Sequence, residues 1–158
     1  MKITSDSVLK MCDEIEAGKS NNDEVKQMLV ELGNDKRWEE MWKISHALGI
    51  EISWIKDAKN DVWVDFGSTG EVTLEPPIGA QLPFQLWVHT HPWNAYWSIT
   101  DLGTLARFTG LIKEALVLGH NHSKHTLCNL QFGDSLEEGV DPLSTWTDEP
   151  CISYEVSK

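Results

Sequence analysis

Trp87-Val88-His89-Thr90-His91-Pro92-Trp93-Asn94-Ala95-Tyr96-Trp97-Ser98-Ile99-Thr100-Asp101 changes structural type twice within one short segment. The run from Pro83 to His91 reads as a strand. Successive side chains on a strand alternate faces, so His89 and His91 point the same way, about 6.6 Å apart at their Cα atoms, while Phe84, Leu86 and Val88 point to the opposite, apolar face. Pro92 has no N–H to give to a central ladder and ends the strand. Ser98-Ile99-Thr100-Asp101 then opens a helix, for which helical spacing through Leu102, Leu105, Ala106, Thr109 and Ile112 predicts a span of about 100–116. A strand that hands directly to a helix places the two histidines at a strand end and Asp101 in the first helical turn. Two imidazoles and a carboxylate are the ligand set that suits zinc, with a fourth tetrahedral position left open.

Working outward, residues 5–48 carry apolar residues at helix spacing: Val8, Met11, Cys12 and Ile15, then Val25, Met28, Leu29 and Leu32, then Trp38, Met41 and Trp42. Three helices are expected, separated at Gly18–Asn22 and at Gly33-Asn34-Asp35, with Asn22 as the N-cap of the second. After Gly49 the period changes to two. Strands over about 50–55 and 62–66 flank a turn at Lys59-Asn60-Asp61 and predict a hairpin. A further short strand is expected at 71–75, ended by Pro76-Pro77, and two more at 115–119 and 126–132, with a polar turn at Gly119–Lys124 between them. From Gly133 the chain is acidic and turn-rich. No repeat or linker divides it, so one domain spanning 1–158 is expected, with 1–37 as a helical N-terminal extension and 133–158 as an irregular acidic tail. The class is α+β, a mostly antiparallel sheet flanked by helices in three layers.

Composition narrows function. Lys and Arg number 13 against 25 Asp and Glu, and a net charge of −12 with no basic cluster disfavours nucleic acid as a partner. Neither a membrane span nor a secretory signal is legible, so a cytoplasmic location is expected. The 3 cysteines, Cys12, Cys128 and Cys151, are widely spaced and outside any CxxC pair, which points to reduced thiols. Of the 8 tryptophans, Trp38, Trp42, Trp54 and Trp87 are read as packing residues, and Trp93 and Trp97, flanking the histidines, as candidate substrate-binding residues. His120 and His122 repeat the HxH spacing, but they fall in a predicted turn, where exposed histidines need no ligand role.

The order HxHP followed by SxxD resembles the motif of the JAMM (Jab/MPN) zinc metalloproteases, in particular prokaryotic and viral members with Trp and Tyr in the intervening loop. The resemblance spans about Trp38 to Phe132. The loop Pro92–Trp97 is one residue shorter than that family's usual spacing, while SxxD is intact. The resemblance implies an MPN-like, cytidine-deaminase-like fold with a curved sheet. It implies zinc held by His89, His91 and Asp101, an upstream proton-shuttling glutamate that matches Glu51 in Gly49-Ile50-Glu51-Ile52-Ser53-Trp54, and an oxyanion-stabilising hydroxyl from Ser98. The implied activity is hydrolysis of peptide or isopeptide bonds by metal-activated water, on a protein or peptide substrate such as the C-terminus of ubiquitin or a ubiquitin-like modifier. A non-catalytic MPN-type scaffold is the alternative, and Ser98 reads equally as a plain N-cap.

Overall fold

In a computed structural model, which describes residues 3–67, 74 and 76–155, the helical spacing at the start of the chain resolves into α1 (Ser5–Glu16), α2 (Asn22–Asn34) and α3 (Trp38–Leu48). The N-cap of α2 is Asn21 and not Asn22: the Asn21 side chain accepts from the N–H groups of Asp23 and Glu24, which satisfies two donors that the helix leaves open. Gly33 does not break α2 either. It lies inside the helix and is buried, because the indole of Trp54 packs where a side chain would stand. A Cβ at Gly33 would lie 2.2 Å from that ring, and Trp54 Nε1 donates to the carbonyl of Leu29 one turn earlier at 3.0 Å. A glycine that reads as a helix stop is a docking notch for a tryptophan.

Alternating residues after Gly49 form β1 (Ile52–Lys56) and β2 (Val62–Phe66), the expected hairpin. They are followed by β3 (Leu86–Thr90), α4 (Ile99–Arg107), β4 (Glu114–Leu118), β5 (His122–Leu127) and β6 (Ile152–Ser153). One six-stranded sheet runs in the order β2-β1-β3-β4-β5-β6. Among the strands of the described residues, β3 and β4 pair in parallel, joined through α4, and the other pairs are antiparallel.

Several boundaries differ from the sequence expectation. The helix predicted to reach residue 116 stops at Arg107, since Gly110 adopts φ 81°, a left-handed conformation that no right-handed helix continues. The turn after β4 is tighter than predicted and β5 begins at His122, because the polar sequence His122-Ser123-Lys124-His125 lies on a partly exposed strand and hides its strand character. The short strand expected at 71–75 falls, apart from Leu74, outside the described residues. The acidic tail is not irregular throughout. It holds a 3₁₀ turn (Pro142–Thr145), adds β6 to the sheet edge, and is anchored by Trp146, whose Nε1 donates to the carbonyl of Leu105 on α4 at 3.1 Å.

Both faces of the sheet are covered, which makes a three-layer α+β arrangement. One core joins Val8, Leu29, Met41 and Ile44 of the N-terminal helices to Ile52, Trp54, Val88 and Leu118 of the sheet. The other joins Leu105 and Phe108 to Ile55, Trp87, Ala115 and Ile112. Phe84, expected on the same face as Val88, belongs to this second core because it precedes β3 and bridges Ile112 outside the strand register. The helices α1 and α2 therefore contribute Val8, Met11, Val25, Leu29 and Leu32 to the first core. Among the described residues no helix is long and apolar enough to cross a membrane.

Two glycines offer a contrast. Gly33→Ala forces a methyl into the Trp54 ring and should destabilise the fold by about 1–3 kcal/mol. Gly103→Ala, in α4 with nothing within 4 Å of its added Cβ, should be neutral or stabilise by up to about 1 kcal/mol through helix propensity. Urea denaturation of the two variants beside the parent checks both signs.

Candidate metal centre

The site forms where β3 leaves the sheet. His89 sits in the last turn of ladder, opposite Ser53 of β1 and Val117 of β4, and is completely buried. His91 follows one residue beyond β3, its N–H still donating to the carbonyl of Leu118 at 2.9 Å. After Pro92 the chain loops over the end of the sheet to Ser98, the N-cap of α4. A capping box then aims the third side chain: Ser98 Oγ accepts from the N–H of Asp101 at 3.1 Å, and the N–H of Ser98 donates to Asp101 Oδ2 at 3.0 Å. The same Oδ2 lies 2.9 Å from His91 Nε2 and 3.1 Å from His89 Nε2. One ligand atom from each of the three residues falls within 4.8 Å of the others, and all three residues are buried. Among the described residues this is the one such group.

Hydrogen bonds decide which ring nitrogen faces the centre. His91 Nδ1 is 3.1 Å from the carbonyl of Asn94, which can only accept, so Nδ1 carries a proton and Nε2 is the nitrogen turned inward, 2.9 Å from Asp101 Oδ2. Trp42 Nε1 on α3 donates to the carbonyl of His91 at 2.9 Å and fixes its backbone. His89 is different. Neither of its nitrogens has a hydrogen-bond partner, although Nε2 lies within reach of Asp101, because the approach is off the direction a hydrogen bond needs. Burial lowers the pKa of His89 and favours its neutral form. Burial also acts to lower that of His91, but Asp101 and the negative charge of Glu51 outweigh it and the pKa rises. Burial opposes ionisation of Asp101, yet the two imidazoles and the N–H of Ser98 hold its carboxyl well below the usual carboxylate range. Two ring nitrogens and a carboxylate oxygen thus converge in a dry place, an arrangement that a cation could satisfy in place of the imidazole proton.

Glu51 immediately precedes β1, 6 % exposed, and is pinned on both sides. Ser45 Oγ of α3 donates to the carbonyl of Ile50 at 2.7 Å. Thr90 Oγ1 accepts from the N–H of Ile52 at 3.0 Å, and the two hydroxyls bond each other at 2.6 Å. Thr90, the residue between the histidines, therefore sets the position of the glutamate. A cleft of about 680 Å³ brings Glu51, His91, Ser98 and Asp101 together, with Trp93 and Tyr96 on its wall. Trp93 occupies the place expected for a substrate-facing aromatic and is 55 % exposed. Trp97 does not line this cleft; it tilts over the His89 ring at 5.8 Å and packs into the α4 core, where helix entry at Ser98 turns it inward. Tyr96 takes its place, 55 % exposed and edge-on to the His91 ring at 4.7 Å. Alternation fails as a guide in a loop, so nothing in the sequence separates Tyr96 from Trp97.

The second HxH does not build a metal group. His122 spends both nitrogens on backbone groups, His120 stacks on Trp93 at 4.2 Å, and His125 pairs with Glu114 at 3.3 Å. Comparison of the chain with protein-family models, with curated proteins and with solved structures finds no match.

The donor atoms fit a divalent cation on a structural criterion: the unpartnered His89 nitrogens are buried polar atoms that the protein itself leaves unsatisfied, and a metal bond to Nε2 removes one of those deficits. The purified chain should bind about one equivalent of a divalent metal, measured by elemental analysis, and His91→Ala should reduce it to background. A full equivalent retained by His91→Ala would rule out this ligand set.

Proposed function

We propose that the chain is a zinc-dependent hydrolase that cleaves peptide or isopeptide bonds in a protein or peptide substrate. The observation that carries this reading is the shared cleft: Glu51 and Ser98, neither a ligand, open onto the same space as His91 and Asp101. A purely structural metal centre has no use for a buried carboxylate and a hydroxyl beside it. Two nitrogens and one oxygen suit zinc and leave a coordination position for chemistry.

His89, His91 and Asp101 would hold the metal. Bound there, zinc supplies Lewis acidity, which lowers the pKa of water to about 7 and polarises a carbonyl. Glu51, fixed by the Ser45–Thr90 pair, accepts the proton released from the attacking water and returns one to the departing amine, a task its burial in the cleft wall suits. Ser98 Oγ uses a lone pair to cap α4, which leaves its hydroxyl proton to be donated to the oxygen of the tetrahedral intermediate, an interaction worth about 3–4 kcal/mol in favourable sites. Capping and oxyanion stabilisation are thus compatible in one hydroxyl. Trp93 and Tyr96 offer apolar surface to the substrate flanks.

The order Glu51, His89-x-His91, Ser98-x-x-Asp101 is also that of the JAMM pattern, and this supports an isopeptide substrate formed at the C-terminus of a ubiquitin-like modifier. The shorter Pro92–Trp97 loop still delivers Asp101 to both histidines.

Glu51→Gln separates binding from chemistry. It should retain the parent's metal content and lose about 10²–10⁴-fold in the rate of cleavage of a peptide or isopeptide-linked test substrate. Equal rates for variant and parent would remove the role of Glu51; a metal-loaded parent that cleaves neither bond type would favour the scaffold alternative.

A further inference from the structure

We infer that His122, on β5 and outside the cleft, is a positioning residue of the metal centre: it sets the loop whose carbonyl orients His91. The inference rests on the reading of His89, His91 and Asp101 as metal ligands.

His122 uses each ring nitrogen on the backbone. Nδ1 lies 2.6 Å from the carbonyl of His120, which can only accept, so Nδ1 carries the proton. Nε2 must then be the acceptor of its second contact, the N–H of Ala95 at 2.9 Å. Only the neutral ring with its proton on Nδ1 makes both bonds. The turn before β5 grips the same loop one step earlier. The N–H of His120 donates to the carbonyl of Trp93 at 2.7 Å, and the His120 and Trp93 rings stack with an interplanar angle of 6°. Gly119 permits this closeness, since a Cβ there would lie 2.6 Å from the Trp93 oxygen and 2.7 Å from the Ala95 nitrogen.

Asn94 is consequently held through the peptide groups on either side of it. Its own carbonyl, between those two anchors, accepts the Nδ1 proton of His91 at 3.1 Å. A continuous path therefore runs from His122 Nε2 through Ala95 and Asn94 to His91 Nδ1, and so to the direction in which His91 Nε2 points. Outer partners of ligating histidines fix ring orientation and tautomer, and their loss typically lowers metal affinity 10–100-fold. A loop of six aromatic and small residues with no secondary structure of its own gains from such a clamp, because no ladder holds it.

The test is zinc affinity, measured by competition with a chromophoric chelator at pH 7.5, together with the visible spectrum of the cobalt-substituted protein as a report on ligand geometry. His122→Ala should bind zinc 10–100-fold more weakly than the parent and show a weakened or shifted cobalt spectrum. His122→Gln, which can present a carbonyl oxygen near the position of Nε2, should recover affinity to within a few-fold, while His122→Asn, whose acceptor is too short, should not. His125→Ala, on the same strand, controls for general loosening of β5 and should bind as the parent does. If His122→Ala fails to fold, the comparison of Gln with Asn carries the test. Equal affinity of His122→Ala and parent, or of the Gln and Asn variants, overturns the inference. A parent that binds no zinc removes the metal-centre reading itself, and this inference with it.

Discussion

A buried carboxylate organises this molecule. Asp101 Oδ2 receives the N–H of Ser98 and faces the Nε2 atoms of both His89 and His91, so one oxygen joins the start of α4 to the end of β3. Burying an ion costs several kcal/mol unless its surroundings compensate it. That requirement forces the imidazoles inward and keeps the helix from sliding along the sheet. Without Asp101 the two histidines would be buried polar rings with little to face, and α4 would lose half of its capping box.

The placement follows from topology. Among the described strands β3 and β4 pair in parallel while the others pair antiparallel, and the α4 connection between them leaves a crevice beyond the carboxyl end of β3. Crevices of this kind are where open sheets with helical crossovers bind ligands. Here it is closed on one side by α3, whose Trp42 bonds the His91 carbonyl and whose Ser45 bonds Thr90. The N-terminal helices thus do more than cover a sheet face: α3 positions both His91 and the segment that carries Glu51.

The same arrangement carries a cost that a bound cation would offset. His89 is buried without a hydrogen-bond partner for either nitrogen, and Asp101 is ionised in a dry setting. Such a set of groups destabilises the metal-free fold, and a ligand that binds only the folded form returns stability in proportion to its affinity. The loop 92–97 is clamped from β5 and its neighbouring turn, so little ordering would remain to be done were a cation to bind.

The sequence by itself determined the three N-terminal helices, the β1–β2 hairpin, the strand-to-helix passage at His89–Asp101 and the grouping of the two histidines with Asp101, because each depends on local periodicity, on proline at a strand end, or on a capping signature within one helical turn. It did not determine where polar strands begin, that Gly33 is a notch for Trp54, which of Tyr96 and Trp97 faces the cleft, or that His122 spends both ring nitrogens on the backbone of His120 and Ala95. Those outcomes depend on contacts between residues far apart in the chain, such as Gly119 against Trp93 and Ser45 against Thr90, where close packing selects among side-chain directions that local spacing leaves equivalent. Tertiary structure therefore decided the site's second layer, since a hydrogen bond between β5 and a loop one crossover away has no signature in either segment alone.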